Sequence, residues 1–255
     1  MAGLKELVLN EGKLPTSTVH QSRLQFYEPT KTAKDHVRKI KTSWGTAVVD
    51  GKLGQNQASL MEAIFYCSED ESKNEDGSVS ITVDPYKVRK VLGGGDSEYS
   101  YSSMMGYRRD IMKALIELKV NYSGLEVRSM SPIIKGIVSI KSNKINPLNG
   151  KKRSLWYVTV SNEYMLLSRY DIALYYNPVD IIRLSTGIAQ SIARHVLGHK
   201  NEPNGGWSVD GLLAATGVDV TNSGHMTNAR RYLKKDKKKL ADIGIFLEDK
   251  KIRKR

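Results

Sequence analysis

The stretch "TNSGHMTNARRYLKKDKKKLADIGIF", from Thr221 to Phe246, combines an apolar repeat with dense positive charge. Its apolar residues recur at spacings of three, four and seven, which predicts one long amphipathic helix. Between Arg230 and Lys239, seven basic residues accompany one acidic residue. Ion pairing within the helix cannot neutralise that face, so the pattern favours contact with a polyanion. The expected buried stripe is Met226, Ala229, Leu233, Leu240 and Ile243.

The composition supports the same class of partner. The 255 residues carry a formal charge of +13, and the pI near 9.6 indicates nucleic acid first and an anionic membrane second. The single Cys67 cannot build a disulfide frame or a cysteine zinc site, which fits a reducing cytosol. No apolar run approaches about 18 residues, and the N-terminal stretch lacks a signal-peptide core. We therefore expect a soluble, cytoplasmic, DNA-associated protein with no membrane partner.

The first part of the chain predicts an arm followed by alternating elements. Residues 1–40 are polar and irregular, which predicts an N-terminal arm with little core of its own. A strand is expected over Thr46–Val49 and a helix from near Asn56. The acidic residues 68–78 are expected to form a surface loop, and residues 79–83 a strand. The buried residues expected on the helix are Leu60, Met61 and Ile64.

Helix signals continue through the next segment. In "DPYKVRKVLGGG", Asp84 suits an N-cap and Pro85 the first helical position, while Gly93 to Gly95 end the helix. Residues 100–120 predict a longer helix, and three strands follow with the basic turn "NKINPLNGKKR" before the last. Helices followed by a basic hairpin are the order of a winged helix. The stripe expected on the longer helix is Met104, Ile111, Leu115 and Leu118.

The same order of elements recurs in the second half. A helix carrying Ile188, Ile192 and Val196 precedes a Gly-rich turn, a short helix capped by Ser208, the long helix and a basic tail. Length also favours two domains over one. The sequence therefore predicts an α+β fold with two tandem winged-helix domains, each a helix-turn-helix plus a β-wing. We expect an arm over 1–40, a first domain over 41–177 and a second over 178–255.

The long helix supplies the principal DNA-contact candidates. The second helix of a helix-turn-helix enters the major groove, where Asn pairs with adenine and Arg with guanine, while Lys suits phosphate. A merely solvated helix face is the alternative, and the charge imbalance argues against it. The candidates are Thr227, Asn228, Arg230, Arg231, Lys234, Lys235 and Lys238.

The first domain offers two weaker basic surfaces. The face of its longer helix predicts a second DNA contact, and the basic turn of its wing predicts contact with phosphates. Plain solvated surface is the alternative for both. The helix candidates are Tyr101, Ser102, Ser103, Arg108, Arg109 and Lys113, and the wing candidates are Lys144, Lys151, Lys152 and Arg153.

We find no pattern that predicts an active site, a metal or a cofactor. His195 and His199 lie one turn apart, but no Glu follows His195 as a zinc protease requires. Gly93 to Gly95 lack the Lys and Ser or Thr of a phosphate-binding loop. The pair Tyr175–Tyr176 has the form of a nicking nucleophile, but no His-apolar-His metal segment accompanies it, so structural burial is favoured. The expectation is a protein without enzymatic activity.

Several segments resemble a known family. "LSTGIAQSIARHVLGH", "PNGGWSVDGLLAATG" and "MTNARRYLKKDKKKLADIGI" resemble the C-terminal winged helix of iteron-binding plasmid replication initiators. "WGTAVVDGKLGQNQASLMEAI" and "YRRDIMKALIELKV" resemble that family's first winged helix, so the resemblance spans roughly Lys41 to Phe246. It implies that the second domain reads direct repeats at a replication origin. It also implies that the first domain contacts DNA and forms dimers, and that monomers recruit host replication proteins such as a helicase or initiator.

The resemblance also assigns roles to the candidate residues. Base contacts would fall on Thr227, Asn228, Arg230 and Arg231, and backbone contacts on Lys234, Lys235 and Lys238. The extra lysines of "KKDKKK" depart from the family and favour phosphate binding. We therefore expect a bacterial protein that binds double-stranded DNA and initiates replication of a plasmid or similar element. The alternatives are a repressor of its own operon and a DNA-nicking enzyme.

Overall fold

A computed structural model describes residues 15–18, 26–42, 45–122, 125–145, 150, 152–169 and 173–255. Buried apolar side chains in this part of the chain form two clusters, one drawn from residues 26–165 and one from residues 181–252. We call residues 26–169 the N-terminal unit and residues 178–255 the C-terminal unit. Both units combine helices with antiparallel sheets.

The elements of the first two thirds of the chain are mostly strands. In chain order they are β1 Ser17–Thr18, β2 His36–Thr42, β3 Gly45–Gly51, α1 Gln55–Tyr66, β4 Ser68–Lys73, β5 Val79–Val83, α2 Pro85–Leu92, α3 Tyr101–Lys113, β6 Leu115–Tyr122, β7 Leu125–Pro132, β8 Ile134–Ile145, β9 Lys152–Val160, α4 Asn162–Arg169 and β10 Ala173–Leu174. They form one sheet of order β2-β3-β6-β7, one of order β4-β5-β9-β8, and the pair β1-β10.

The elements of the C-terminal unit are mostly helices. They are α5 Pro178–Ile182, α6 Gly187–Leu197, β11 Trp207–Ser208, α7 Val209–Ala215, α8 Ser223–Lys235, α9 Lys237–Asp242, β12 Ile245–Glu248 and β13 Lys251–Lys254. The three strands form a sheet of order β11-β13-β12. In the described residues, no helix has the length and apolar character needed to span a membrane.

Several predicted elements of the N-terminal unit are confirmed. The strand over Thr46–Val49 lies within β3, and α1 begins one residue before Asn56. The α1 side chains of Leu60, Met61 and Ile64 are fully buried. The Asp84 carboxylate accepts a hydrogen bond from the Tyr86 amide at 2.9 Å and caps α2, which ends at Gly93.

The predicted helix over residues 100–120 is wrong in its second half. The helix α3 ends at Lys113, and β6 begins at Leu115. Ile116 and Leu118 are buried while Glu117 between them is only partly covered, which is the alternation of a strand. Pairing with β3 and β7 on both sides supplies partners for the backbone and overrides the helical spacing of Leu115 and Leu118.

One other prediction for this unit is corrected. Acidic residues 68–73 form β4, an edge strand paired with β5, and not a loop; its charged side chains face solvent, as edge strands often require. The described part of the N-terminal arm contributes Phe26 and Tyr27 to the first cluster. The Tyr27 hydroxyl lies 3.1 Å from that of Tyr164. Residues 1–14 and 19–25 of the arm lie outside the described residues.

Strand pairing repeats between the two units. The same order of helix, strand, two helices and hairpin occurs in both units. In the N-terminal unit these elements are α1, β5, α2, α3 and β8–β9, and in the C-terminal unit they are α6, β11, α7, α8 and β12–β13. In both, the early strand pairs with the second strand of the hairpin. The N-terminal unit adds the sheet of order β2-β3-β6-β7.

The segment around Thr30 lies between the two units. Its carbonyl accepts a hydrogen bond from the Gln55 amide at 2.8 Å, at the start of α1. A Cβ added at Gly54 would lie 2.5 Å from the Thr30 oxygen, and one added at Gly187 would lie 2.6 Å from the Thr30 Cα. Both glycines therefore permit close approach of this segment to the N-termini of α1 and α6.

Candidate nucleic-acid interface

Helix α8 presents one buried and one exposed face. Its first turn is capped by the Asn222 side chain, which accepts hydrogen bonds from the amides of Gly224 at 3.0 Å and His225 at 3.2 Å. Met226, Ala229 and Leu233 are buried against the C-terminal unit. Six of the predicted contact residues are exposed on α8 and a seventh on α9. We call the members other than Arg230 the basic face: Thr227, Asn228, Arg231, Lys234, Lys235 and Lys238.

The predicted long helix is interrupted at Asp236. Its carboxylate is fully buried and accepts hydrogen bonds from the Ser185 amide, the Thr186 amide and the Thr186 hydroxyl, each at 2.8 Å. The residue lies three positions after Leu233 and four before Leu240, so it falls on the buried stripe. Asp236, the only acidic residue of the run from Arg230 to Lys239, is therefore hydrogen-bonded to the start of α6 and points away from the basic face.

Arg230 is directed toward α7. Its guanidinium donates two hydrogen bonds to the Asp210 carboxylate, at 3.0 and 2.7 Å. The hydrogen bond to Asp210 raises the pKa of Arg230, and the same bond lowers the pKa of Asp210. Both side chains are exposed, so the pair contributes little to stability. The structure thus separates Arg230 from the other predicted base contacts, for which the described residues supply no carboxylate partner.

Tyr232 is a member of this surface that sequence reasoning missed. The Arg231 guanidinium and the Lys235 ammonium each lie 5.3 Å from the centre of its ring. Such cation–π contacts orient the two cations on an exposed helix. The signal was present in the sequence, since Tyr232 lies next to Arg231 and three residues before Lys235. Lys239, in contrast, donates to the Arg183 carbonyl at 2.8 Å and to the Ser185 hydroxyl at 2.9 Å.

The N-terminal unit places only part of its predicted helix face in solvent. Tyr101, Ser102, Arg109 and Lys113 are exposed on α3, and Ser103 is half-buried. Arg108 is also half-buried, and its guanidinium lies 5.4 Å from the centre of the Trp156 ring. Packing on that aromatic ring withdraws Arg108 from the exposed face.

The predicted wing of the N-terminal unit is less available than its composition suggests. Arg153 donates to the Asp84 carboxylate and, at 3.1 Å, to that of Glu69. The hydrogen bond to Asp84 raises the pKa of Arg153. This arginine therefore supports the N-cap of α2. Lys152 is exposed, with its ammonium 3.4 Å from the Asn143 oxygen. Lys151 and the side chain of Lys144 lie outside the described residues.

The residues weighed as chemical candidates have structural partners. The Nε2 atoms of His195 and His199 lie 3.2 Å apart, and the His199 ring meets Trp207 edge-on. Within the described ranges, no group of three or more potential metal ligands occurs. The Tyr176 hydroxyl donates to Glu62 at 2.5 Å, and burial raises its pKa well above the ordinary value. Tyr175, in contrast to the prediction of burial, is 44% exposed.

A buried polar network joins the two units. Arg194 of α6 donates from Nε and Nη2 to the two oxygens of Glu62 on α1, both at 2.7 Å. Its remaining donors reach the Gln55 side chain at 2.6 Å and the Ser59 hydroxyl at 3.0 Å. The Arg194 and Glu62 side chains are only 4% and 6% exposed. Because every charge in the network is paired, the contact fixes α6 against α1.

Comparison with known proteins gives a likeness of fold. No protein-family model and no curated protein sequence matches this chain. Two crystal structures of domains 2 and 3 of RctB are similar to it. The first, of a selenomethionine derivative, has 11% sequence identity and a TM-score of 0.58, and covers 93% of this chain and 96% of its own. The second has 12% identity and a TM-score of 0.56, and covers 92% and 94%.

These similarities extend over nearly the whole of both chains. The mixed α and β architecture with antiparallel sheets is therefore shared with domains 2 and 3 of RctB. At this identity the likeness concerns the fold alone.

Proposed function

We propose that this protein is a non-enzymatic, sequence-specific double-stranded DNA-binding protein that initiates replication. The observation that carries the proposal is the basic face of α8 and α9. It presents Arg231, Lys234, Lys235 and Lys238 to solvent while the neighbouring Asp236 is buried. A cationic surface without local neutralisation gains free energy by releasing counterions from DNA.

The order of elements supports a winged-helix arrangement for both units. In the C-terminal unit, α7 and α8 take the places of the two helices of a helix-turn-helix, and β12–β13 that of the wing. Helix α8 then takes the role of the recognition helix, whose N-terminal residues meet base edges. We assign base contacts to Thr227, Asn228 and Arg231, and phosphate contacts to Lys234, Lys235 and Lys238.

Two observations support a setting at a replication origin: the resemblance in sequence, and the fold shared with domains 2 and 3 of RctB, a replication initiator. We propose that the binding sites are direct repeats at a replication origin and that bound protein recruits host helicase or initiator proteins. Dimerisation is assigned to the N-terminal unit. Because DNA binding at an origin also suits repression of a nearby promoter, an autorepressor is the second candidate.

The proposal is tested with the full chain. Selection from a library of random duplexes should enrich one short motif, and that motif should recur as direct repeats beside the gene. A plasmid carrying the repeats should replicate only when the protein is supplied. Enrichment without replication supports the repressor, and failure to enrich any motif contradicts sequence-specific binding. Nicking of supercoiled plasmid with magnesium or manganese would refute the non-enzymatic assignment.

A further inference from the structure

A groove of about 920 Å³ lies between the segment 27–38 and the C-terminal unit. One wall is formed by this segment and the other by the start of α6, the turn before α8, and α8 itself. The groove reaches the basic face, because Asn228 belongs to both. The residues that matter here are Lys31, Lys34, His36 and Arg38 on one wall and Asn228 and Tyr232 on the other.

The groove carries an excess of basic groups. Its two acidic members already have partners. Glu28 lies 3.4 Å from the His36 ring, and Asp219 accepts two hydrogen bonds from Thr221 and lies 3.6 Å from His225. Lys34 is exposed, and in the part of the chain that the structure describes it has no ion pair. The start of α6, which would otherwise attract an anion, is occupied by Asp236.

The basic wall is held in a fixed position relative to α8. The Lys31 ammonium donates to the Leu184 carbonyl at 3.1 Å, while the Lys31 carbonyl accepts from Asn56 at 2.8 Å. The segment is thus bonded to both units, and the close approach at Gly187 packs its backbone against α6. The Lys31 ammonium is held by the Leu184 carbonyl, so this lysine serves as an anchor, and burial lowers its pKa. Lys34 is exposed and open to a ligand.

We propose that this groove holds the sugar–phosphate backbone of DNA beside the stretch contacted by α8. Lys34 would meet a phosphate, and Asn228 would mark the boundary between base contact and backbone contact. Phosphate contacts of this kind set register and add affinity without reading sequence. This inference rests on the proposed function, because it requires that α8 faces DNA.

The test uses the full chain and a fluorescent random-sequence duplex of about 30 base pairs across a salt series. Lys34→Gln should weaken binding by about three- to tenfold near 0.1 M salt and lower the salt slope by about one. Lys34→Glu should weaken binding further. Lys39→Gln and Lys39→Glu are the matched controls, because Lys39 is an exposed lysine on the face of β2 opposite His36 and Arg38.

The outcomes separate this inference from the proposed function. Wild-type protein that binds no duplex contradicts the proposed function itself. Binding that is weakened in Lys238→Ala but unchanged in both Lys34 variants leaves the proposed function standing and overturns the groove. Equal losses in the Lys34 and Lys39 variants also overturn it, because the effect would then reflect overall charge. Loss confined to the Lys34 variants supports the groove as the backbone site.

Discussion

At the scale of single residues, Arg231 is the best candidate for reading sequence. It is exposed on α8 and lies over Tyr232, and within the described part of the chain no carboxylate pairs with it as Asp210 pairs with Arg230. Arg231→Ala should remove a base-edge contact and cost about 1–3 kcal/mol on the selected motif, with little loss on random duplex. Binding titrations on both duplexes measure the difference directly.

Lys238 provides the matched comparison on the same surface. It lies on α9, beyond the interruption at Asp236, and should contact phosphate only. Lys238→Ala should weaken binding to all duplexes alike and reduce the salt slope by about one. If Arg231→Ala instead weakens both duplexes equally, α8 is an electrostatic anchor and sequence reading lies elsewhere.

Asp236 is a third residue with a measurable role. Asp236→Ala would leave the amides of Ser185 and Thr186 without their acceptor, at a cost of about 2–4 kcal/mol in the free energy of unfolding. Urea denaturation should show a lower midpoint. Asp242→Ala, an exposed aspartate on α9, should leave the midpoint unchanged. A stable Asp236→Ala variant would show that water replaces these hydrogen bonds.

At the scale of elements, the contact between α6 and the Thr30 segment predicts that alanine at Gly187 lowers the stability of the protein. Alanine usually stabilises a helix relative to glycine. At Gly187, however, the new Cβ would lie 2.6–2.7 Å from backbone atoms of Thr30 and Lys31. Gly187→Ala should therefore destabilise the protein by about 1–3 kcal/mol.

Gly106 on α3 is the matched control for this substitution. A Cβ there would meet nothing within 4 Å, so Gly106→Ala should stabilise the protein by about 0.5–1 kcal/mol. The two variants should thus shift the thermal midpoint in opposite directions. A rise in the thermal midpoint of both variants would mean that the Thr30 segment moves aside without loss of stability.

The elements also show which parts of the fold can be predicted from local sequence pattern. The caps at Asp84 and Ser208 and the stripe of Met226, Ala229 and Leu233 were predictable, because capping and helical spacing are local properties. The strand β6 was not, because Leu115 and Leu118 continue the helical spacing of α3, whereas the strand alternation rests on Ile116 and Leu118. Its pairing with β3 involves residues about 70 positions away, and such partners leave no local signal.

At the scale of the whole molecule, the Arg194–Glu62 pair should stabilise the packing of the two units against each other. Arg194→Met would leave the Glu62 carboxylate buried without its counter-charge. Glu62→Gln would leave the Arg194 guanidinium buried without its counter-charge. Each should cost about 3–5 kcal/mol in the free energy of unfolding. Chemical denaturation of both variants, followed by fluorescence of the chain's three tryptophans, gives the measurement.

The double variant Glu62→Gln/Arg194→Met tests whether the loss of stability in the single variants comes from breaking the interaction between the two side chains. It should cost less than the sum of the two single substitutions, because no uncompensated charge remains buried. Additive losses would mean that the two side chains stabilise the protein independently. Asp210→Ala, which breaks an exposed ion pair, serves as the control and should show no measurable change.

This network could not be predicted from the sequence. Arg194 lies in an amphipathic helix and Glu62 in a helix that is buried along much of its length, yet nothing near either residue identifies the other, 132 positions away. The same holds for Asp236, which sequence reasoning placed among surface charges. Their positions are set by tertiary packing, whereas most of the basic face was predictable because it depends on one helix. Whether those residues contact DNA stays a prediction.

The burial of Cys67 at the end of α1 has a practical consequence for following the protein in solution. It is the only cysteine of the chain, and burial raises the pKa of its thiol to about 12. Maleimide dyes react with thiolates, so the wild-type protein should remain unlabelled at neutral pH. A cysteine introduced at an exposed position such as Lys141 would then be the single reactive site for a fluorophore, and no removal of the native thiol would be needed.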